Sequence, residues 1–130
     1  MSYYFNKVLK NASFEEAIEK VTAELKKEGF GVLNEIDMKA TLKMKIDVDF
    51  KKYKILGACN PHFAYKALQA EDKIGVFLPC NIVVEENDNG EVEVTAVDPI
   101  ASMISVNNKN LESLAQEVQQ KLSRVIENLG

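Results

Sequence analysis

Two alternating segments, Cys80 to Glu86 and Glu91 to Val97, flank the short run Asn87-Asp88-Asn89-Gly90. They constrain the fold more tightly than anything else in the chain. Apolar and polar residues alternating with period two mark a strand with one buried face. Val92, Val94 and Ala96 form the apolar set of the second segment, spaced by Glu93 and Thr95, while Cys80, Ile82 and Val84 form that of the first. A three-residue loop, Asp88 to Gly90, opposes Val84 to Val94 and Ile82 to Ala96, apolar to apolar. It also places Gly90 at the left-handed position that such a loop favours. A two- or four-residue loop would oppose Val84 to a polar residue, because a one-residue slip turns every side chain to the other face. The pair is therefore predicted to be an antiparallel hairpin, and its register extends to set Cys80 opposite Asp98.

The rest of the chain fits around that hairpin. Tyr3 to Leu9 alternates and reads as a strand. Ser13, followed three residues later by Glu16, is a capping box. Phe14, Ala17, Ile18, Val21 and Leu25 then recur at helical spacing, up to a stop at Gly29. Phe30 to Glu35 reads as a second strand. Asp37 can cap a short helix reaching about Lys45, with Met38 and Leu42 on one face. Tyr53 to Cys59 is a third strand. Asn60-Pro61 suits a helix start, since Asn caps well and Pro is favoured at the first helical position. Phe63, Ala64, Ala67 and Leu68 form that helix's apolar side. The segment from Ile100 to Val106 is apolar and carries no assignment. From Asn108 or Asn110 a long helix runs to the end, striped by Leu111, Leu114, Ala115, Val118, Leu122, Val125, Ile126 and Leu129.

Strands and helices do not strictly alternate in this order. The pattern predicts an α+β class with a five-stranded, mostly antiparallel sheet and helices on one face. The other face must then be wet or covered by a second subunit. Lysines beside the third strand favour wetting. Val83, Leu56 and Ala58, taken as lying on the strands' second faces, favour a cover, and with it a homodimer.

At 130 residues the chain suits one domain, 1–130, that can bury about two thirds of its open surface without disulfides or metal. Sixteen basic against 20 acidic residues leave a net charge of −4, which speaks against nucleic acid as a partner. Lys39, Lys43, Lys45, Lys51, Lys52 and Lys54 form a basic stretch. Glu85, Glu86, Asp88, Glu91 and Glu93 form an acidic one, and both read as solvated faces. No run approaches a membrane span, and the start lacks a signal-peptide pattern, so no membrane partner and a cytoplasmic location are expected. Two cysteines without an export signal agree with a reducing compartment.

Four ordered segments resemble a known family. They are Glu35-Ile36-Asp37-Met38-Lys39-Ala40-Thr41-Leu42-Lys43, Tyr53-Lys54-Ile55-Leu56-Gly57-Ala58-Cys59-Asn60-Pro61, Gly75-Val76-Phe77-Leu78-Pro79-Cys80-Asn81-Ile82-Val83-Val84, and Val97-Asp98-Pro99. Together they are similar to the bacterial and archaeal "domain of unknown function 302" family, over nearly the whole chain. The resemblance implies a TATA-binding-protein-like α+β domain of β-α-β4-α order with short inserted helices, usually dimeric. It implies no established activity and names no cofactor. His62 departs from the family, which often has a small or apolar residue after the Asn-Pro pair, so a site built on His62 would be peculiar to this branch.

The chemical inventory is thin: one His, two Cys and no Trp. Cys59 sits just before a helix N-terminus, a placement that can favour a thiolate. Cys80 follows Pro79 at a strand start, with Asp98 opposite. His62 lies on the first turn of the helix after Asn60-Pro61. If Cys59, His62, Cys80 and Asp98 converged, they would suit a soft metal or thiol chemistry. Three readings stay open. One is a homodimeric small-ligand-binding or structural module, its ligand near Cys59, Asn60, Pro61, His62, Cys80 and Asp98. Another is a thiol-based redox or sulfur-handling protein using Cys59 and Cys80. The third is metal binding through Cys59, His62 and Cys80. Whether the chain is an enzyme stays open with them.

Overall fold

The computed structural model describes residues 2–130. Its strands are β1 (Tyr4–Leu9), β2 (Gly31–Asp37), β3 (Tyr53–Cys59), β4 (Cys80–Glu86) and β5 (Val92–Val97). Its helices are α1 (Phe14–Lys27), α2 (Met38–Ile46), α3 (Pro61–Ala70), α4 (Pro99–Met103) and α5 (Lys109–Glu127), with 3₁₀ turns at Asp72–Phe77 and Ile104–Val106. The strands form one sheet in the order β1-β5-β4-β3-β2, and every neighbouring pair is antiparallel. The α+β class predicted from element order is the one observed.

The hairpin has the predicted register. Val84 opposes Val94 and Ile82 opposes Ala96. The Asn87 N–H donates to the Glu91 carbonyl at 2.7 Å, closing a three-residue loop, and Gly90 takes the left-handed conformation at φ +84°.

The helix-facing side of the sheet is a continuous apolar surface. Leu56 and Ala58 of β3, Ile82 and Val84 of β4, and Val92, Val94 and Ala96 of β5 are all buried there. Phe14, Ala17, Val21 and Leu25 of α1 and Val118, Leu122, Val125 and Ile126 of α5 cover them. This corrects one expectation. Leu56 and Ala58 belong to the core rather than to the open face, because the ladder sets Leu56 against Ile82 and Ala58 against Cys80. Of the three apolar residues taken as evidence for a cover, only Val83 lies on the open side, beside Ile55.

Both long helices owe their placement to local signals. Ser13 and Glu16 form the reciprocal capping box, with both hydrogen bonds present at 3.0–3.1 Å. Ser13→Ala is expected to cost about 1 kcal/mol of stability. The check is a urea-midpoint comparison with Ser113→Ala, an exposed serine in α5 that caps nothing. At its other end α1 is tied to α5 by the chain's one arginine. Arg124 donates to Glu28 through Nη2 at 2.9 Å and Nε at 3.3 Å, and this pairing holds the Glu28 carboxyl below its usual range.

Helix α2 is different. It is capped by Asp37, whose carboxylate accepts from the Ala40 N–H, yet it buries none of its residues. Met38 and Leu42 share a face as predicted, but that face is only half-buried. Between Val32 and Asn34 the pairing of β2 with β3 shifts by one residue, leaving Leu33 as a bulge.

Candidate functional site

The C-terminal end of β3 and the start of β4 lie side by side, with Ala58 opposite Cys80. Between this end of the sheet and helices α3, α4 and α5 runs a narrow cleft. Ala58 and Cys80 form its floor, Phe63 and Ala67 of α3 one wall, and Leu111 and Val118 of α5 the other. Met103, at the end of α4, closes the remaining side. No charged side chain lines it. Water-sized spheres can place their centres in about 40 Å³ of it, room for a few waters.

Asn60, predicted to cap α3, makes no side-chain cap there. Its Nδ2 instead donates to the Glu28 carbonyl at 3.3 Å, beyond the C-terminal end of α1. It is the one buried polar residue among those described, and its amide fastens the start of α3 to α1. Pro61 opens α3 at its first position, as predicted. His62 is exposed on the first turn and does not reach the cleft.

The predicted opposition of Cys80 and Asp98 does not form. The β4–β5 ladder ends at Ile82 and Ala96. Beyond it β5 follows β1 instead, and the Asp98 N–H donates to the Tyr3 carbonyl at 2.8 Å. The Asp98 carboxylate caps α4 through the Ile100 N–H at 3.0 Å and accepts from Gln119 Nε2 at 3.1 Å. Pro99 forces this turn, since its ring has no N–H to continue a ladder. The gathering of Cys59, His62, Cys80 and Asp98 that a soft metal needs is therefore not built. Among the described residues no group of three or more His, Cys, Asp and Glu could share an ion.

The two cysteines are free thiols and neighbours. Ala58 and Cys80 face the helices, and Cys59, the last residue of β3, stands at the rim of the same cleft. Burial pushes the Cys80 thiol from its ordinary value of 9.0 up to about 11, and Cys59 adds to the shift. Cys80 is thus a poor nucleophile at neutral pH. Iodoacetamide is expected to label Cys59 in the native protein and to spare Cys80 until the chain unfolds, which peptide mass mapping reads directly.

A consequence for pH follows. The fold holds the Cys80 proton more tightly than the open chain does. The stabilisation is whole below pH 9 and is lost as pH rises through about 11. Cys80→Ala is expected to flatten that alkaline limb in urea midpoints taken across it. A limb that survives unchanged would assign the effect to other groups.

On the open face, sequence reasoning passed over a pair that it had the means to find. Glu85 and Glu93 stand directly opposite each other. Lys51 Nζ meets Glu85 at 2.6 Å, and Asn6 and Asn87 donate to Glu93 at 2.9 and 2.6 Å. The Glu85 contact raises the Lys51 pKa. Burial, with Glu85 nearby, raises that of Tyr53. The register that predicted Val84 opposite Val94 implied this pair one residue further on. Each carboxylate is already matched by donors, so the pair is a satisfied network.

Among the described residues no helix is long and apolar enough to cross a membrane. A family model described as "Domain of unknown function DUF302" matches residues 5–129. A crystal structure of an uncharacterized conserved protein DUF302 from Bacillus stearothermophilus superposes with a TM-score of 0.89. It is 27% identical, with 98% of each chain covered. Among curated proteins, none matches the chain.

Proposed function

The chain belongs to the family described as domain of unknown function DUF302, and from its own geometry we propose that it is a non-enzymatic, homodimeric cytoplasmic module that binds a small apolar ligand. The observation that carries this reading is the cleft between the sheet end and α3, α4 and α5. It is walled almost wholly by apolar side chains, with Cys59, Asn60 and Cys80 as its polar or polarisable groups. A concave apolar site with few polar groups is the ordinary form of a small-molecule pocket. His62 and Asp98, expected near the ligand, fall outside this proposal, one exposed and the other capping α4.

The homodimer reading is supported by the open sheet face, where Tyr4 and Ile36 are exposed, and by Tyr3 and Phe50 beside it. Tyr4 and Ile36 stand on opposite edge strands, and the half-buried Ile55 and Val83 of the same face lie between those edges. The thiol reading now rests on Cys59 alone, half-buried at the end of β3.

Native mass spectrometry tests both parts. The expected result at micromolar concentration is a mass of two chains, with an additional small organic molecule released on activation. A monomeric mass overturns the homodimer. A dimer that carries no ligand and takes up none of a panel of small apolar compounds overturns the binding module.

A further inference from the structure

The cleft is not isolated. Met103, Leu111 and Ala115 line it on one side and, on the other, line an outer groove between α4 and the start of α5. The outer groove is roomier, with about 340 Å³ open to the centres of water-sized spheres. Its further lining is mixed. Ile100 and Ile104 supply apolar surface, and Asn107, Asn108, Glu112 and Gln116 supply polar groups.

From this sequence of spaces we infer that the ligand is a linear amphiphile, an alkyl or acyl chain seated in the cleft with a hydrogen-bond-donating head, an amine or a hydroxyl, in the outer groove. This rests on the reading of the cleft as a binding site and names its ligand class.

Four observations support it. The inner cleft offers a tail almost wholly apolar contact, with the two thiols of Cys59 and Cys80 beside it. The one polar side chain there, Asn60, has already committed its amide to Glu28. The inner space is also narrow, which suits a single chain and excludes a compact fused-ring ligand, since pockets for drug-sized molecules run to several hundred Å³. Met103 stands between the two spaces and lines both; it is an unbranched and adaptable side chain whose swing would open a neck without moving backbone. Beside it Ile104 is 68% exposed at the lip of the outer groove, an apolar side chain placed to meet the part of the tail that leaves the neck.

The head chemistry follows from what lines the outer groove. Its one charged residue is Glu112, and no lysine or arginine accompanies it. Asn108 has spent its donor on the Ala70 carbonyl and Glu71, both at 3.0 Å, and its oxygen caps α5 at Asn110. The charge available to a head is therefore an acceptor. A donor is favoured there and a carboxylate is repelled.

The test is a titration of the isotope-labelled protein with octylamine, 1-octanol, octanoate and toluene, followed by methyl NMR. The expected result is saturable shifts of the Met103, Leu111 and Leu114 methyls with octylamine and 1-octanol, and binding of octanoate weaker by about tenfold. Glu112→Gln should close most of the gap between octylamine and octanoate. Met103→Trp should block the neck and Met103→Ala should open it, so the two variants should move affinity in opposite directions. Octanoate binding as tightly as octylamine overturns the head assignment. Toluene binding while no chain binds overturns the linear class and leaves the cleft reading intact. If none of the four shifts these methyls, both fall.

Discussion

Leu122→Ala is expected to destabilise the protein by about 2–5 kcal/mol, the range for a buried leucine truncated in a packed core. Leu122 lies in the C-terminal half of α5 with no exposed surface. It packs in the layer between α5, α1 and the helix side of the sheet. Neighbours drawn from three elements cannot collapse onto a vacancy together, so the cavity persists and the cost lies toward the upper part of the range. The midpoint of urea unfolding is the measurement. Gln120→Ala, an exposed position two residues earlier, should stay within about 0.5 kcal/mol of the parent. Near-equal effects at the two positions would mean that α5 does not press its apolar stripe against the sheet.

Gly57→Val is expected to be comparably damaging, for the opposite reason. Gly57 is buried in mid-β3 on the open side of the sheet. A Cβ there would overlap the Asn34 Oδ1 and would stand 2.8 Å from Pro79 Cγ. The bulge at Leu33 places Asn34 directly across from Gly57, and its amide fills the space that a side chain would take. Overpacking of this kind costs about 1–3 kcal/mol, and a branched side chain takes it to the top of that range. Asn34 can swing away and the proline ring cannot. In a double-mutant cycle Asn34→Gly should therefore recover only part of the loss. Full recovery would place the whole conflict at Asn34, and no recovery would place it at Pro79.

The features legible in the sequence were those fixed by neighbours. The hairpin register needed only the alternation around Asn87 to Gly90, and the start of α1 needed only Ser13 and Glu16. The segment 100–106 was opaque because its helix is one turn long and is set by the Asp98 cap and by contact with α5, which its own periodicity does not encode. The face of Leu56 and Ala58 was misread for a related reason. Tyr53 to Cys59 is apolar on both sides, so only its pairing with β4 decides which residues meet the core.

The candidate site divides the same way. Cys59, Asn60, Pro61 and Cys80 were marked by type and position, and the β3–β4 ladder brings these segments together. The cleft itself was invisible, because its walls come from α3, α4 and α5, elements joined by no local pattern. Asn60 shows the limit at one residue. Its type announced a helix cap, and its partner turned out to be Glu28, which only the tertiary fold brings near.

The strand order has a consequence for how the molecule is made. Tyr4 pairs with Val97 and Leu9 with Val92, so β1 leaves the ribosome long before the strand that completes it. At ~5–20 residues per second, β1 waits roughly 5–20 s for β5, and longer for the α5 stripe that covers them both. Through that interval the nascent chain holds β2, β3 and β4 with their apolar side uncovered by α5. Such long-range closure also slows folding once synthesis ends. Productive folding is thereby deferred until α5 has been made, and the half-made sheet depends until then on whatever shields apolar nascent chains in its cell.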